Sequence, residues 1–175
     1  MDERHDLEQY FFDDPTVAAL ADFAARFAAP CCVCAPLLGQ ALVERGAAAT
    51  ILDVDERFGH LPGFLRFDLY RPHWIDRTFD LIVCDPPFFK VKLSQLFDAL
   101  RLLAHNDFRQ PLMVCFLQRR RAAVLATFHR FGLQPTGFEP RYRTVQHGPK
   151  NAIEVFSNLP AEHLTTLITP PDPVG

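Results

Sequence analysis

Apolar and polar positions alternate with two different periods along this chain, and the switch between them marks its elements. Val17, Leu20, Ala21, Ala24 and Phe27 recur at helical spacing after Asp14-Pro15, which reads as an N-cap with proline at the first helical position. Pro30 ends that helix. Cys31-Cys32-Val33-Cys34-Ala35 is a short apolar strand, and residues 37–45 form a second helix with Gly46 as its C-cap. Residues 50–55, 64–69 and 79–84 read as the next three strands. Leu93, Leu96, Phe97, Leu100 and Leu103 make a helical stripe, residues 111–117 a fifth strand, and Val124, Leu125, Phe128 and Phe131 another stripe stopped by Gly132. Two further strands are expected at 137–143 and 152–156, and residues 160–175 read as a loose C-terminal tail.

Strands that alternate with helices predict a mostly parallel sheet covered on both faces. The hairpin-like pair at the end predicts an antiparallel edge strand, for seven strands in all. The 175 residues, 49% of them hydrophobic, suit one α/β domain with a sizeable core. No interdomain linker or internal repeat interrupts the pattern.

Composition narrows the setting. No apolar run is long enough to span a membrane, and the charged start Met1-Asp2-Glu3-Arg4-His5-Asp6 is unlike a signal peptide. A cytoplasmic or nuclear address is expected. The five cysteines, Cys31, Cys32, Cys34, Cys84 and Cys115, all fall in apolar runs, which suits reduced buried thiols. With no second cysteine pair of metal-ligand spacing and no paired histidines, no metal site is expected.

The net charge of −3 is unevenly spread. Residues 1–100 carry 9 Lys+Arg against 16 Asp+Glu, and residues 101–175 carry 9 against 5. Arg141, Arg143 and Lys150 in the basic half are candidate contacts to an anionic substrate. A solvated helix face accounts equally for Arg119-Arg120-Arg121.

The densest chemistry is Cys84-Asp85-Pro86-Pro87-Phe88-Phe89, directly after the apolar run 79–84. An exocyclic amine of adenine is a poor nucleophile, because its lone pair is delocalised into the ring. An enzyme that alkylates it must orient that nitrogen. Asp85 can accept one N–H and the Pro86 carbonyl the other, since proline keeps its acceptor and has no donor. Two prolines stiffen the turn, and Phe88 offers a face to a flat base. The gain is orientation and electrostatic matching. Asp-Pro and Pro-Pro are also ordinary surface-turn dipeptides, so the motif draws its weight from context.

The context is a resemblance over about residues 9–159. The Asp85-Pro86-Pro87-Phe88 turn resembles the active-site motif of amino-methyltransferases. Five other segments accompany it in order: Gln9-Tyr10-Phe11-Phe12, Cys32-Val33-Cys34-Ala35-Pro36, Leu52-Asp53-Val54-Asp55-Glu56-Arg57-Phe58, Phe67-Asp68-Leu69-Tyr70 and Val155-Phe156-Ser157-Asn158. Together they resemble the N6-adenine methylase-like family of class I methyltransferases, which contains RNA adenine methyltransferases and elongation-factor lysine methyltransferases.

The resemblance implies a Rossmann-like fold and S-adenosylmethionine as cofactor. It implies catalytic roles for Asp85, Pro86, Pro87 and Phe88. The loop from Ala35 and Pro36 to Gly39 would pass the cofactor's methionine part. An acid at the end of the second strand would accept from the ribose hydroxyls, with Asp55 favoured over Asp53. Asp68 would accept from the cofactor's adenine amine. Gln9-Tyr10-Phe11-Phe12 would close over the site, its aromatics excluding water, with Phe89 as a further substrate contact, although a hydrophobic staple on the first helix suits Phe11 and Phe12 as well. The first-strand loop departs from the general methyltransferase pattern, having Pro36 and no G-x-G run.

Three functions stay open. One is transfer to adenine N6 in RNA or DNA, with an accessory protein to bind nucleic acid for so acidic a domain. A second is transfer to a lysine of a protein such as an elongation factor. The third is a non-catalytic scaffold that keeps the fold.

Overall fold

A computed structural model describes residues 1–168 of the chain. Seven strands form one sheet: β1 (Pro30–Val33), β2 (Thr50–Asp53), β3 (Phe64–Arg66), β4 (Leu81–Cys84), β5 (Leu112–Leu117), β6 (Gln134–Pro135) and β7 (Ile153–Ser157). Their spatial order is β3-β2-β1-β4-β5-β7-β6. β1 pairs in parallel with β2 and β4, and β4 pairs in parallel with β5. β7 is antiparallel to both β5 and β6. The expected antiparallel strand is therefore present but lies inside the sheet, with two-residue β6 outside it.

The central strands are buried on both faces, which is why they read as unbroken apolar runs rather than alternating ones. Five helices cover the sheet: α1 (Asp14–Ala24), α2 (Pro36–Glu44), α3 (Leu93–Leu103), α4 (Arg121–Thr127) and α5 (Ala161–Ile168). α1 packs on α2 and α5, and α3 packs on α4. Gly39 lets α2 lie close to β2, since a Cβ there would meet Ile51 Cγ1 at 2.6 Å. Gly63 has φ +79°, and a Cβ there would sit 2.1 Å from the Ala49 carbonyl oxygen. No other residue type fits that turn into β3 without backbone movement.

Several expectations are corrected. The N-cap of α1 is Asp13, whose carboxylate accepts from Thr16 N at 2.9 Å, so Pro15 is the second helical residue. Residues 137–143 form no strand: β6 stops at Pro135, and Pro140, which has no N–H to give a ladder, lies within the segment. Only Tyr142 pairs, in an isolated antiparallel bridge with Phe12. Residues 161–168 of the supposed tail form α5, anchored by buried Leu164 and Leu167. The rest of that tail, from Thr169 on, lies outside the described residues. All five cysteines are free thiols. No helix among the described residues is long and apolar enough to cross a membrane.

Candidate active site

The strand order reverses at β1, where β2 lies on one side and β4 on the other, and the crevice at such a point is the usual ligand site of an open α/β sheet. A cavity of about 360 Å³ opens there, beyond the carboxyl ends of the strands. Each of β1 to β4 contributes residues to it at its end or just beyond: Cys34 after β1, Asp53 and Val54 at β2, Arg66 to Tyr70 at β3, and Asp85 to Phe88 after β4. The N-terminal segment from Asp6 to Phe11 forms the remaining wall.

The turn after β1 is short. β1 ends at Val33 and α2 begins at Pro36, so only Cys34 and Ala35 connect them. Cys34 takes φ +56°, a left-handed conformation more often given to glycine. Its N–H donates to the Leu52 carbonyl at 2.9 Å, tying the turn to β2. Cys34 and Pro36 line the cavity, whereas Ala35 is buried behind them.

Three carboxylates converge on this turn. Burial raises the Cys34 thiol well above its ordinary range, and Asp53, Asp85 and Asp68 raise it further. Asp53 is 6% exposed, and burial lifts its pKa to about 6 despite the Asp55 N–H that its Oδ1 accepts at 2.8 Å. Asp68 Oδ1 accepts from Tyr70 N at 2.9 Å. Such an acceptor-rich wall suits a ligand that brings hydroxyl and amine donors and a positive charge, which are the groups of S-adenosylmethionine.

Asp55 departs from its expected place. It does not line the cavity, and it is 1% exposed. The Arg57 guanidinium grips it at 2.7 and 2.9 Å, and Gln9 Nε2 donates to it at 2.8 Å. Arg57 first of all holds its pKa down to about 2. The reason is geometric: Asp53 is the last residue of β2 and lines the cavity, while Asp55, two residues past the strand, turns to the N-terminal segment.

Asp85 is buried to 7% exposure, and its carboxyl is pushed well above the usual range, chiefly by burial. The Tyr142 hydroxyl donates to Asp85 Oδ1 at 2.7 Å. No buried side-chain nitrogen or oxygen among the described residues lacks a partner. Oδ2, which has none, therefore meets the cavity. Pro86, Pro87 and Phe88 line the cavity beside it. Phe88 and Tyr10 present near-parallel rings, 22° apart in plane with centroids 6.5 Å apart. Phe89 packs edge-on against both and stays 45% exposed at the rim.

The N-terminal aromatics divide. Phe11 lines the cavity and packs edge-on against Phe58. Phe12 turns into the core against Tyr142, with centroids 5.2 Å apart. Arg141, Arg143 and Lys150 do not line the cavity. Arg141 pairs with Glu139 at 3.7 Å, and Arg143 pairs with Asp14 at 3.3 Å while its guanidinium lies over Phe11. Glu8 and Lys90 form a 3.9 Å pair at the mouth. Cys34 and Tyr142 are site residues to which motif reading assigned no role, and Tyr10 lines the cavity with the rest of the N-terminal segment.

Comparison with known proteins agrees with this geometry. No curated protein sequence matches the chain. Among solved structures, a TehB-like SAM-dependent methyltransferase from Corynebacterium glutamicum superposes with a TM-score of 0.56 at 19% identity, over 82% of this chain and 88% of that one. Magnesium protoporphyrin IX methyltransferase from Synechocystis, crystallised with bound SAM, gives 0.53 at 14% identity over 82% and 77%. Ribosomal protein L11 methylase from Lactobacillus delbrueckii gives 0.53 at 12% identity over 85% and 80%. These likenesses establish the Rossmann-like methyltransferase fold. The family described as probable N6-adenine methyltransferase matches residues 3–160. The chain belongs to that family and is a class I S-adenosylmethionine-dependent methyltransferase.

Proposed function

We propose that the enzyme methylates the N6 amine of adenine in RNA or DNA. The observation that carries this reading is the free Oδ2 of Asp85 beside the near-parallel rings of Tyr10 and Phe88. Two aromatic faces receive a flat heteroaromatic ring, and a carboxylate oxygen at their edge receives its amine.

The cofactor, when bound, supplies an electrophilic methyl group on a sulfonium. Asp53 accepts from its ribose hydroxyls, Asp68 from its adenine amine, and Cys34 and Pro36 flank its methionine part. Asp85 Oδ2 and the Pro86 carbonyl take the two N–H groups of the acceptor amine, which leaves the lone pair to face the methyl. Pro87 keeps that turn rigid. Phe11 excludes water from the N-terminal side, and Phe89 buttresses the two aromatic plates. Arg141 and Arg143 are committed to carboxylates, so nucleic acid is held elsewhere or through an accessory protein.

A second reading, transfer to a protein lysine, is favoured by the acceptor-rich lining, to which Asp6 and Glu8 add carboxylates that a substrate cation would share with Arg4 and Lys90. Labelled S-adenosylmethionine added to total cell extract, with RNA, DNA and protein then separated, decides between them. Label in nucleic acid, lost with Asp85→Ala, is the expected result. Label confined to one protein band would replace adenine by lysine.

A further inference from the structure

Asp85 is held by a residue 57 positions away that belongs to no strand of the sheet. Tyr142 reaches it from the loop after β6. Its ring is fixed on both sides, by Phe12 at 5.2 Å and edge-on by Phe88 at 5.6 Å. Its backbone is fixed as well. Phe12 and Tyr142 form an antiparallel bridge, Asp13 N donates to the Arg141 carbonyl at 2.9 Å, and Arg143 N donates to the Phe11 carbonyl at 2.9 Å. Glu3 fastens the same strap, accepting from Phe11 N at 2.8 Å and from the Thr144 hydroxyl. A hydroxyl so placed donates to the turn after β4, with the Cys115 thiol as its other neighbour.

We propose that Tyr142 is a positioning residue for methyl transfer: by occupying Asp85 Oδ1 it fixes the carboxylate plane, so that Oδ2 alone is offered to the acceptor amine. The inference rests on the reading of Asp85 as the amine-orienting group. A carboxylate free to rotate about its χ2 angle would present either oxygen, and the amine lone pair would lose its aim at the methyl. Misalignment of this size costs rate rather than binding. The same hydroxyl supports the charged form of Asp85 by donating to it. Other titratable groups around Asp85 oppose that form or stay neutral. Asp53 faces it from β2, and the buried thiols of Cys34, Cys84 and Cys115 approach from β1, β4 and β5, with Cys115 also contacting the Tyr142 hydroxyl.

Tyr142→Phe tests this in two measurements on the full chain. The first is transfer from labelled S-adenosylmethionine to mixed-sequence single-stranded RNA. A fall in kcat of tenfold or more is expected, with KM for the cofactor changed less than twofold. The second is the infrared carboxyl band of Asp85, assigned by its loss in Asp85→Asn and followed against pH. It is expected to titrate at higher pH in Tyr142→Phe. If that variant fails to fold, 3-fluorotyrosine at position 142 keeps the ring and donates more strongly, and should move the titration to lower pH. An unmoved band in the folded variant, or a wild-type kcat, overturns the inference. The two levels separate cleanly. Full activity in Asp85→Ala removes the reading of Asp85 and the inference with it, whereas an inactive Asp85→Ala beside a fully active Tyr142→Phe removes the inference alone.

Discussion

Gln9 Nε2 donates to Asp55 Oδ2 at 2.8 Å, joining the N-terminal segment to the turn after β2 across 46 positions. Arg57 completes the clasp. It grips Asp55 and reaches Gln9 Oε1 at 3.2 Å and the Asp2 carbonyl at 3.0 Å. The segment so held, Asp6 to Phe11, is one wall of the cavity at the strand ends. A cover held by charge-assisted hydrogen bonds is a local unit whose loss need not unfold the sheet.

Arg57→Ala should therefore weaken S-adenosylmethionine binding about tenfold, the equivalent of ~1.4 kcal/mol. Gln9→Ala should do so less. Isothermal titration calorimetry measures the affinity, and thermal melting should show a smaller effect on the fold. Wild-type affinity in Arg57→Ala would mean the N-terminal wall does not depend on the clasp.

Asp53 links cofactor binding to pH. Its folded-state pKa of about 6 lies above the ordinary 3.8, so the folded state binds the proton more tightly than the unfolded one. Between those values the protein loses stability as pH rises, by up to roughly 3 kcal/mol when the carboxylate is fully charged. Asp53→Asn should thus melt higher than the parent at pH 7.5, with the difference shrinking below pH about 4. Cofactor affinity should move the other way, rising in the parent as pH passes about 6 and staying flat in the variant. A parent affinity that ignores pH through this window would detach Asp53 from the ribose.

Tyr10 supplies the second aromatic face opposite Phe88. Tyr10→Ala should raise KM for a nucleic-acid acceptor tenfold or more, in keeping with ~1–3 kcal/mol per stacked base. Tyr10→Phe should stay close to wild type, because the ring face and not the hydroxyl is used. Equal losses in the two variants, measured by steady-state transfer, would point to the hydroxyl instead.

Gly63 tests the packing that places β3 and, through it, Asp68. Gly63→Ala must accommodate both φ +79° and a Cβ 2.1 Å from a backbone oxygen. A loss of more than ~1 kcal/mol is expected in chemical denaturation, beyond the ordinary cost of a side chain at positive φ. Gly46→Ala makes the comparison, since it has φ +78° and nothing within 4 Å of the added carbon.

Local sequence determined a good deal. The central strands were legible because a parallel strand covered on both faces must be apolar at every position, as in Ile82-Val83-Cys84 and residues 112–117. The Asp85-Pro86-Pro87-Phe88 turn was legible because proline restricts the backbone wherever it stands. Asp68 and the closing role of the N-terminal segment followed from a resemblance spread along the chain, and both lie at the cavity.

Other features depended on contacts that no local pattern encodes. Asp53 and Asp55 are the same residue type two positions apart, and only the end of β2 and the approach of Gln9 and Arg57 give one to the cavity and the other to a clasp. Residues 137–143 carry strand-forming side chains, yet Pro140 within them and a single bridge to Phe12 leave them as a strap. The partnership of Tyr142 with Asp85 was hidden for the same reason. A hydrogen bond across 57 positions has no period or spacing, and it exists only once the sheet and the N-terminal segment bring the two side chains together.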